Sequence, residues 1–270
     1  MTERGERPSP VPEGPVPSSR EGERVLDLIR VMARLRGPGG CPWDAEQTHR
    51  SLARHLLEET HETLEAIDAD DLDGLREELG DVLLQVAFHA EIARGESAFD
   101  IDDVAEGIVQ KLIRRHPHVF GDAEVAGPDE VLVNWERIKA EEKGERGVED
   151  EIPASLPALA RASKVQRRAA GWGFEWRSVE GAVEALRQEV DELAEATDPR
   201  NAEEEVGDVL FAAVAVARKL RVDPESALRR TIRGFAARYE RMVQRARDEG
   251  LDLSNLSEDE LRARFRAARD

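Results

Sequence analysis

Twice in this chain an acidic pair at helical spacing is followed, after a short break, by a second acidic pair that runs straight into an apolar segment. The first copy reads Glu59-x-x-Glu62, then Glu78-Leu79-Gly80-Asp81 and VLLQVAF. The second reads Glu189-x-x-Glu192, then Glu205-Val206-Gly207-Asp208 and VLFAAVAVA. Sixteen residues separate Glu62 from Glu78 and thirteen separate Glu192 from Glu205, a difference of about one helical turn. Recurrence of a two-helix unit points to a duplicated domain.

The rest of the chain is written for helices. Leu, Ala, Glu and Arg dominate, aromatics make up 4%, and few stretches alternate polar with apolar residues as a half-buried strand does. An all-α fold of tandem helical bundles is expected. Residues 1–22 hold five of the thirteen prolines and no Leu, Ile, Phe or Trp, which predicts a disordered tail. The first domain is expected over 23–122, with helices starting near Val25, after Asp44 or Thr48, over Leu72 to Arg94, and from Asp100 or Asp102 to the break at RRHPHVFGD. A Gly- and Glu-rich linker with one helix is expected over 123–156. A second domain follows over 157–255 and a C-terminal helix over 256–270. Pro199, Pro224 and Gly250 mark the later breaks.

On a wheel, Glu58, Glu59, Glu62 and Glu65 fill one arc, and Leu56, Leu57, Thr60, Leu64 and Ile67 fill another. Taken alone, that helix is a solvated acidic face over a buried stripe. The next helix changes the reading. Val82, Leu83, Leu84, Val86, Ala87 and Phe88 point nearly all round, which predicts burial and puts Glu78 and Asp81 at the edge of the core. Unpaired charges there cost roughly several kcal/mol each in desolvation, and Arg76 and Arg94 are too few to neutralise two acidic pairs. An antiparallel hairpin would gather Glu59, Glu62, Glu78 and Asp81. Oxygen donors without His or Cys select Mg²⁺, with Mn²⁺ also accepted, over Zn²⁺. Mg²⁺ keeps open positions for phosphates, which indicates metal-assisted attack of water on a phosphoanhydride. Gly80 and Gly207, each between paired acids, fit close approach of a helix or a ligand.

The formal net charge of -19 argues against broad binding to nucleic acid or anionic membranes. The single cysteine, Cys41, has no internal disulfide partner, and no apolar run reaches the length of a membrane helix. A cytoplasmic location is expected.

The blocks GGCPWDAEQTHRSL, LLEETHETLEAI, LREELGDVLLQVAFHA and KLIRRHPHVFGD, with the later NWERIKAEEK, closely resemble the MazG nucleoside triphosphate pyrophosphohydrolases over roughly residues 24–250. The resemblance implies tandem all-α MazG domains, a homodimer, and Mg²⁺-dependent hydrolysis of NTPs and dNTPs to the monophosphate and pyrophosphate, a house-cleaning of the nucleotide pool. It implies that Glu59, Glu62, Glu78 and Asp81 hold the metal in the first domain, with Glu58 an extra ligand or the base for water. Lys111, Arg114, Arg115 and Lys139 then face the triphosphate. In the second domain Glu189, Glu192, Glu205 and Asp208 occupy the matching positions. That copy departs from the pattern: Gln188 replaces a doubled Glu, Gly234-Phe235-x-x-Arg238-Tyr239 lacks the family's lysine, and DELRARFRAARD lacks a tryptophan. The first domain is therefore expected to be the active one. Alternatives are a relative with a narrower substrate, such as dUTP or a damaged nucleotide, and a non-catalytic helical dimerisation module.

Trp43 is read either as packing its loop or as stacking on a base. Trp135, Trp172 and Trp176 are expected as packing anchors. His116 and His118 are expected to serve packing at a helix stop more than metal binding.

Overall fold

The computed structural model describes residues 22–143, 147–150 and 152–269. The Pro-rich segment 1–22 lies outside these apart from Gly22. All regular structure among the described residues is helical, and the chain divides into two compact units between Glu142 and Lys143.

The first unit holds α1 (Glu23–Arg36), a short α2 (Pro42–Glu46), α3 (His49–Asp68), α4 (Leu72–Gly95), α5 (Ile101–Arg115), a single turn α6 (Pro117–Phe120) and α7 (Pro128–Lys143). Local chemistry sets the starts. Thr48 caps α3, its hydroxyl taking the Ser51 amide at 3.1 Å while Ser51 Oγ takes the Thr48 amide at 2.9 Å. Asp71 caps α4, and Asp100 caps α5. The segment RGPGGCPWD turns because Cys41 donates its amide to the Leu35 carbonyl at 2.7 Å. A Cβ on Gly40 would lie 2.1 Å from that same carbonyl oxygen, so only glycine fits. The core is Met32, Leu52, Ala87, Phe88 and Ile92, flanked by Leu28, Leu35 and Leu84.

The second unit holds α8 (Ala158–Gly171), α9 (Val179–Glu195), α10 (Pro199–Lys219), α11 (Pro224–Asp248) and α12 (Glu258–Ala267). Ser178, Asp198, Asp223 and Ser257 cap the last four. Its core is built mainly of small residues: Ala182, Ala185, Ala212, Val214, Ala215, Met242, Ala246 and Ala268. In each unit the two acid-bearing helices pack as a hairpin, α3 on α4 and α9 on α10.

Burial departs from the sequence expectation in one consistent way. The α4 helix is not covered on all sides: Gln85 is buried, while Leu79, Leu83 and Val86 are exposed. Leu56, Leu57 and Ile67, read as a buried stripe of α3, are exposed as well. Val104, Ile108 and Leu112 make a further exposed apolar row on α5. These residues have helical core spacing, and no element among the described residues covers them. Trp172 and Trp176, expected as anchors, are 59% and 49% exposed.

Candidate active site

The three-residue connection between α3 and α4 folds the second helix back on the first, and this brings residues near 59 beside residues near 80. Glu59, Glu78 and Asp81 each offer a carboxylate oxygen, all within 4.8 Å of one another, and all three side chains are half-buried. Glu62 lies just outside this tight group. It is exposed, yet it shares a hydrogen bond with Glu59 and presses electrostatically on both Glu59 and Glu78.

The electrostatics follow from that crowding. Burial, then Asp81 and Glu62, push the Glu59 carboxyl above its ordinary range. Burial, then Glu62 and Asp81, do the same to Glu78. The two arginines nearest in sequence are engaged elsewhere: Arg76 pairs with Asp73 at 3.2 Å and Arg94 with Glu91 at 2.5 Å. An all-oxygen donor set with raised carboxyl pKa values fits a hard divalent cation. Glu58 stands apart. Its side chain is 60% exposed and takes His55 Nδ1 at 3.1 Å.

The second hairpin repeats the arrangement with differences. Glu189, Glu192 and Glu205 bring carboxylate oxygens within 4.8 Å of one another, and Glu192 is exposed. Asp208 is exposed and outside the triad, though it joins Glu192 and Glu205 in raising the Glu189 carboxyl, after burial as the first cause. Asn201, one turn ahead on α10, donates Nδ2 to Glu205 Oε1 at 3.0 Å.

The expected phosphate groups fall at the end of α5. Lys111 is exposed; Arg114 and Arg115 both meet Glu142, from α7. Lys139 sits on α7, one turn before Glu142, and is half-buried. Trp43 is 53% exposed in its loop. His116 is a packing residue: its Nδ1 donates to the Leu112 carbonyl at 2.7 Å, and its ring meets Trp135 edge-on at 4.9 Å. In the second unit Arg238 is turned inward, its Nε donating to the Phe265 carbonyl at 2.5 Å and its guanidinium 4.2 Å over the Phe265 ring.

Comparison with known proteins decides the family. The profile of the MazG nucleotide pyrophosphohydrolase domain matches this chain twice, over residues 47–120 and 177–243. The chain belongs to the MazG family. A protein of Thermotoga maritima named nucleoside triphosphate pyrophosphohydrolase/pyrophosphatase MazG is 49% identical over 232 residues, covering 85% of this chain and 89% of the relative. The nucleoside triphosphate pyrophosphohydrolase of Escherichia coli is 43% identical over 238 residues, covering 85% of this chain and 90% of its own. Each MazG match contains one acidic cluster in full. The first ends at Phe120, so α7, with Lys139 and Glu142, lies beyond the matched MazG domain.

Sequence reasoning passed over several groups that the MazG fold brings together. Glu142 was one of many acids in NWERIKAEEK, and only its approach to Arg114 and Arg115 marks it out. His49 and His89, forty residues apart, stack with Nδ1 atoms 2.8 Å apart. Burial, then His49, pushes the His89 pKa down. Gln85 lies in an apolar run whose pattern hides its burial.

Proposed function

We propose that the α3–α4 hairpin is the working centre of a metal-dependent nucleoside triphosphate pyrophosphohydrolase, acting on NTPs and dNTPs. The observation that carries this reading is the convergence of Glu59, Glu78 and Asp81 in a half-buried setting. Those three, with Glu62 at their margin, would hold Mg²⁺, and Mn²⁺ suits the same donors. Bound there, the metal supplies charge stabilisation for phosphate oxygens and a lowered pKa for water. Hydrolysis adds water across the bond between the α-phosphorus and the α–β bridging oxygen, so the water must lose a proton while pyrophosphate departs with the bridging oxygen. Glu58 and Glu62 are the carboxylates left outside the tight triad to accept that proton. Lys111, Arg114, Arg115 and Lys139 supply positive charge for the polyphosphate chain, and Trp43 is exposed enough to stack on a base.

A homodimer belongs to the same reading. It is supported by the uncovered apolar rows of α3, α4 and α5, which a second copy would bury. The described residues contain no helix long and apolar enough to cross a membrane, and a cytoplasmic location is part of the same proposal, since that is where a nucleotide-pool enzyme meets its substrates.

The test is incubation of the purified chain with Mg²⁺ and each of the eight common (d)NTPs. Release of pyrophosphate with the monophosphate is expected. Release of orthophosphate, or no turnover, overturns the assignment. Turnover confined to dUTP or to a damaged nucleotide, seen as a lone high kcat/KM, would narrow it.

A further inference from the structure

Neighbouring residues on a helix point about 100° apart, so Arg114 and Arg115 have no reason to converge unaided. In this chain one carboxylate gathers both. Glu142 Oε1 accepts from Arg114 Nε at 2.5 Å, and its Oε2 accepts from Arg115 Nη2 at 2.6 Å and Nε at 3.2 Å. Glu142 arrives from the last turn of α7, and the contact is largely shielded: its side chain is 18% exposed and that of Arg115 is 10% exposed. Arg115 also lies 5.5 Å over the Trp135 ring, which fixes its other flank to the same helix. Hydrogen bonds from Arg115 and then Arg114 hold the Glu142 carboxyl down at about 2, so it is an anion throughout the working pH range.

The arrangement holds more positive charge than its carboxylate can balance. Lys111 is one turn before both arginines on α5, and Lys139 is one turn before Glu142 on α7. Two guanidiniums on one carboxylate leave a net positive charge, within a chain of net charge -19. Arg114 commits only its Nε to Glu142, and both its Nη groups remain for a second anion.

We infer that Glu142 is a positioning residue: from α7 it gathers Arg114 and Arg115, forming a seat for the polyphosphate chain of the substrate. The inference rests on the proposed function, which makes a triphosphate the ligand. It gives α7 a role outside the matched MazG domain.

The experiment titrates inorganic tripolyphosphate into the full chain by calorimetry in metal-free buffer, where the acidic triad cannot contribute. Glu142→Gln keeps the size of the side chain and removes the charge that collects the guanidiniums. It is expected to weaken binding about tenfold, the scale of a lost charge-assisted contact. Glu142→Asp, one methylene shorter, should restore part of that loss. In turnover with Mg²⁺, Glu142→Gln should raise KM by a similar factor while kcat changes less than about threefold. Unchanged or tighter binding by folded Glu142→Gln overturns the inference. If that variant fails to fold, wild-type binding by Glu142→Asp overturns it instead. A double Arg114→Ala, Arg115→Ala variant separates the two layers. Wild-type binding by it removes the arginines from the phosphate site altogether, whereas lost binding there with intact binding in Glu142→Gln discards only the role of Glu142.

Discussion

The two hairpins carry the same acids in the same order, but what surrounds those acids differs. In the first unit the triad Glu59, Glu78 and Asp81 is half-buried throughout, and arginines at the end of α5 are gathered by a helix from the same unit. In the second, Glu192 is exposed, Asp208 stands outside the triad, and Arg238 is folded onto Phe265. A duplicated backbone preserves acids cheaply, because two glutamates three residues apart meet on any helix. A cation cluster needs a further segment arriving at the correct place: in the first unit Glu142 of α7 gathers Arg114 and Arg115, and in the second Glu175 gathers Arg218 and Lys219 while Arg238, Arg241 and Arg245 bond carbonyls at the end of α12. The acidic motifs are alike in the two units, and what differs is the burial of their members and the side chains around them.

The strongest way to break this contrast is to remove one ligand from each cluster. Glu59→Gln is expected to lower kcat at least about a hundredfold, since a metal ligand acts in the chemical step. Glu189→Gln is expected to change it less than about threefold. Pyrophosphate release from the two purified variants decides between them, and the reverse ranking would place the chemistry in the second unit.

A smaller effect separates the arginines. Arg114→Ala should raise KM about tenfold with folding retained, because its side chain is half-exposed and its loss removes phosphate binding. Arg238→Ala should leave KM unchanged and lower Tm, since that guanidinium packs on Phe265 and bonds its carbonyl.

Much of this was legible in the sequence, for identifiable reasons. Helix starts at α3, α4, α5 and α12 were readable because Thr48, Asp71, Asp100 and Ser257 satisfy orphan amides locally, through side chains of fixed short reach, whereas Pro199 reads as a break and is the first residue of α10. The approach of the acids across each hairpin was readable from their spacing on two adjacent helices, but which three would meet was not: Glu62 falls outside the first triad and Asp208 outside the second. Glu142 was not readable: its partners are 27 and 28 residues away, and nothing local distinguishes it from Glu141. Nor was the uncovered face of α4. Periodicity reports that Leu79, Leu83 and Val86 are apolar, and it carries no information on whether the covering surface belongs to the same chain.

The pH dependence of stability sharpens the comparison further. Glu59, Glu78 and Glu189 have raised folded-state pKa values. The folded chain therefore binds more protons than the unfolded one above about pH 4.5, and these groups subtract stability progressively as pH rises through their folded pKa values. Glu142 acts in the opposite sense. Its pKa of about 2 contributes stability that is complete above about pH 4.5 and is lost as pH falls toward 2. Thermal melts of the metal-free chain should therefore weaken on both sides of a maximum near the carboxylate range. Mg²⁺ at a hundred times its Kd should add about 2.7 kcal/mol near neutral pH, and less in acid as protons compete for the same oxygens. Equal Mg²⁺ stabilisation at pH 4 and pH 7 would remove the carboxylates as ligands. Retention of most of the shift in Glu189→Gln, and its loss in Glu59→Gln, would assign the tighter site to the first unit.

The smallest expected effect concerns the two glycines set between the acids. A Cβ added to Gly80 or to Gly207 meets nothing within 4 Å, so among the described residues neither glycine is required by packing. A helix-interior glycine costs about 1 kcal/mol relative to alanine, and Gly207→Ala should return roughly that amount as a raised Tm with activity unchanged. Gly80→Ala should show the same gain in helix propensity and still lose turnover, because substrate or a second copy must come close to α4 between Glu78 and Asp81. The separation between the two variants is the measurement of interest. If both gain stability and both keep full activity, the open space beside Gly80 is not where the ligand or the partner sits, and the crowded face of α4 must be approached from the side of Glu62 instead.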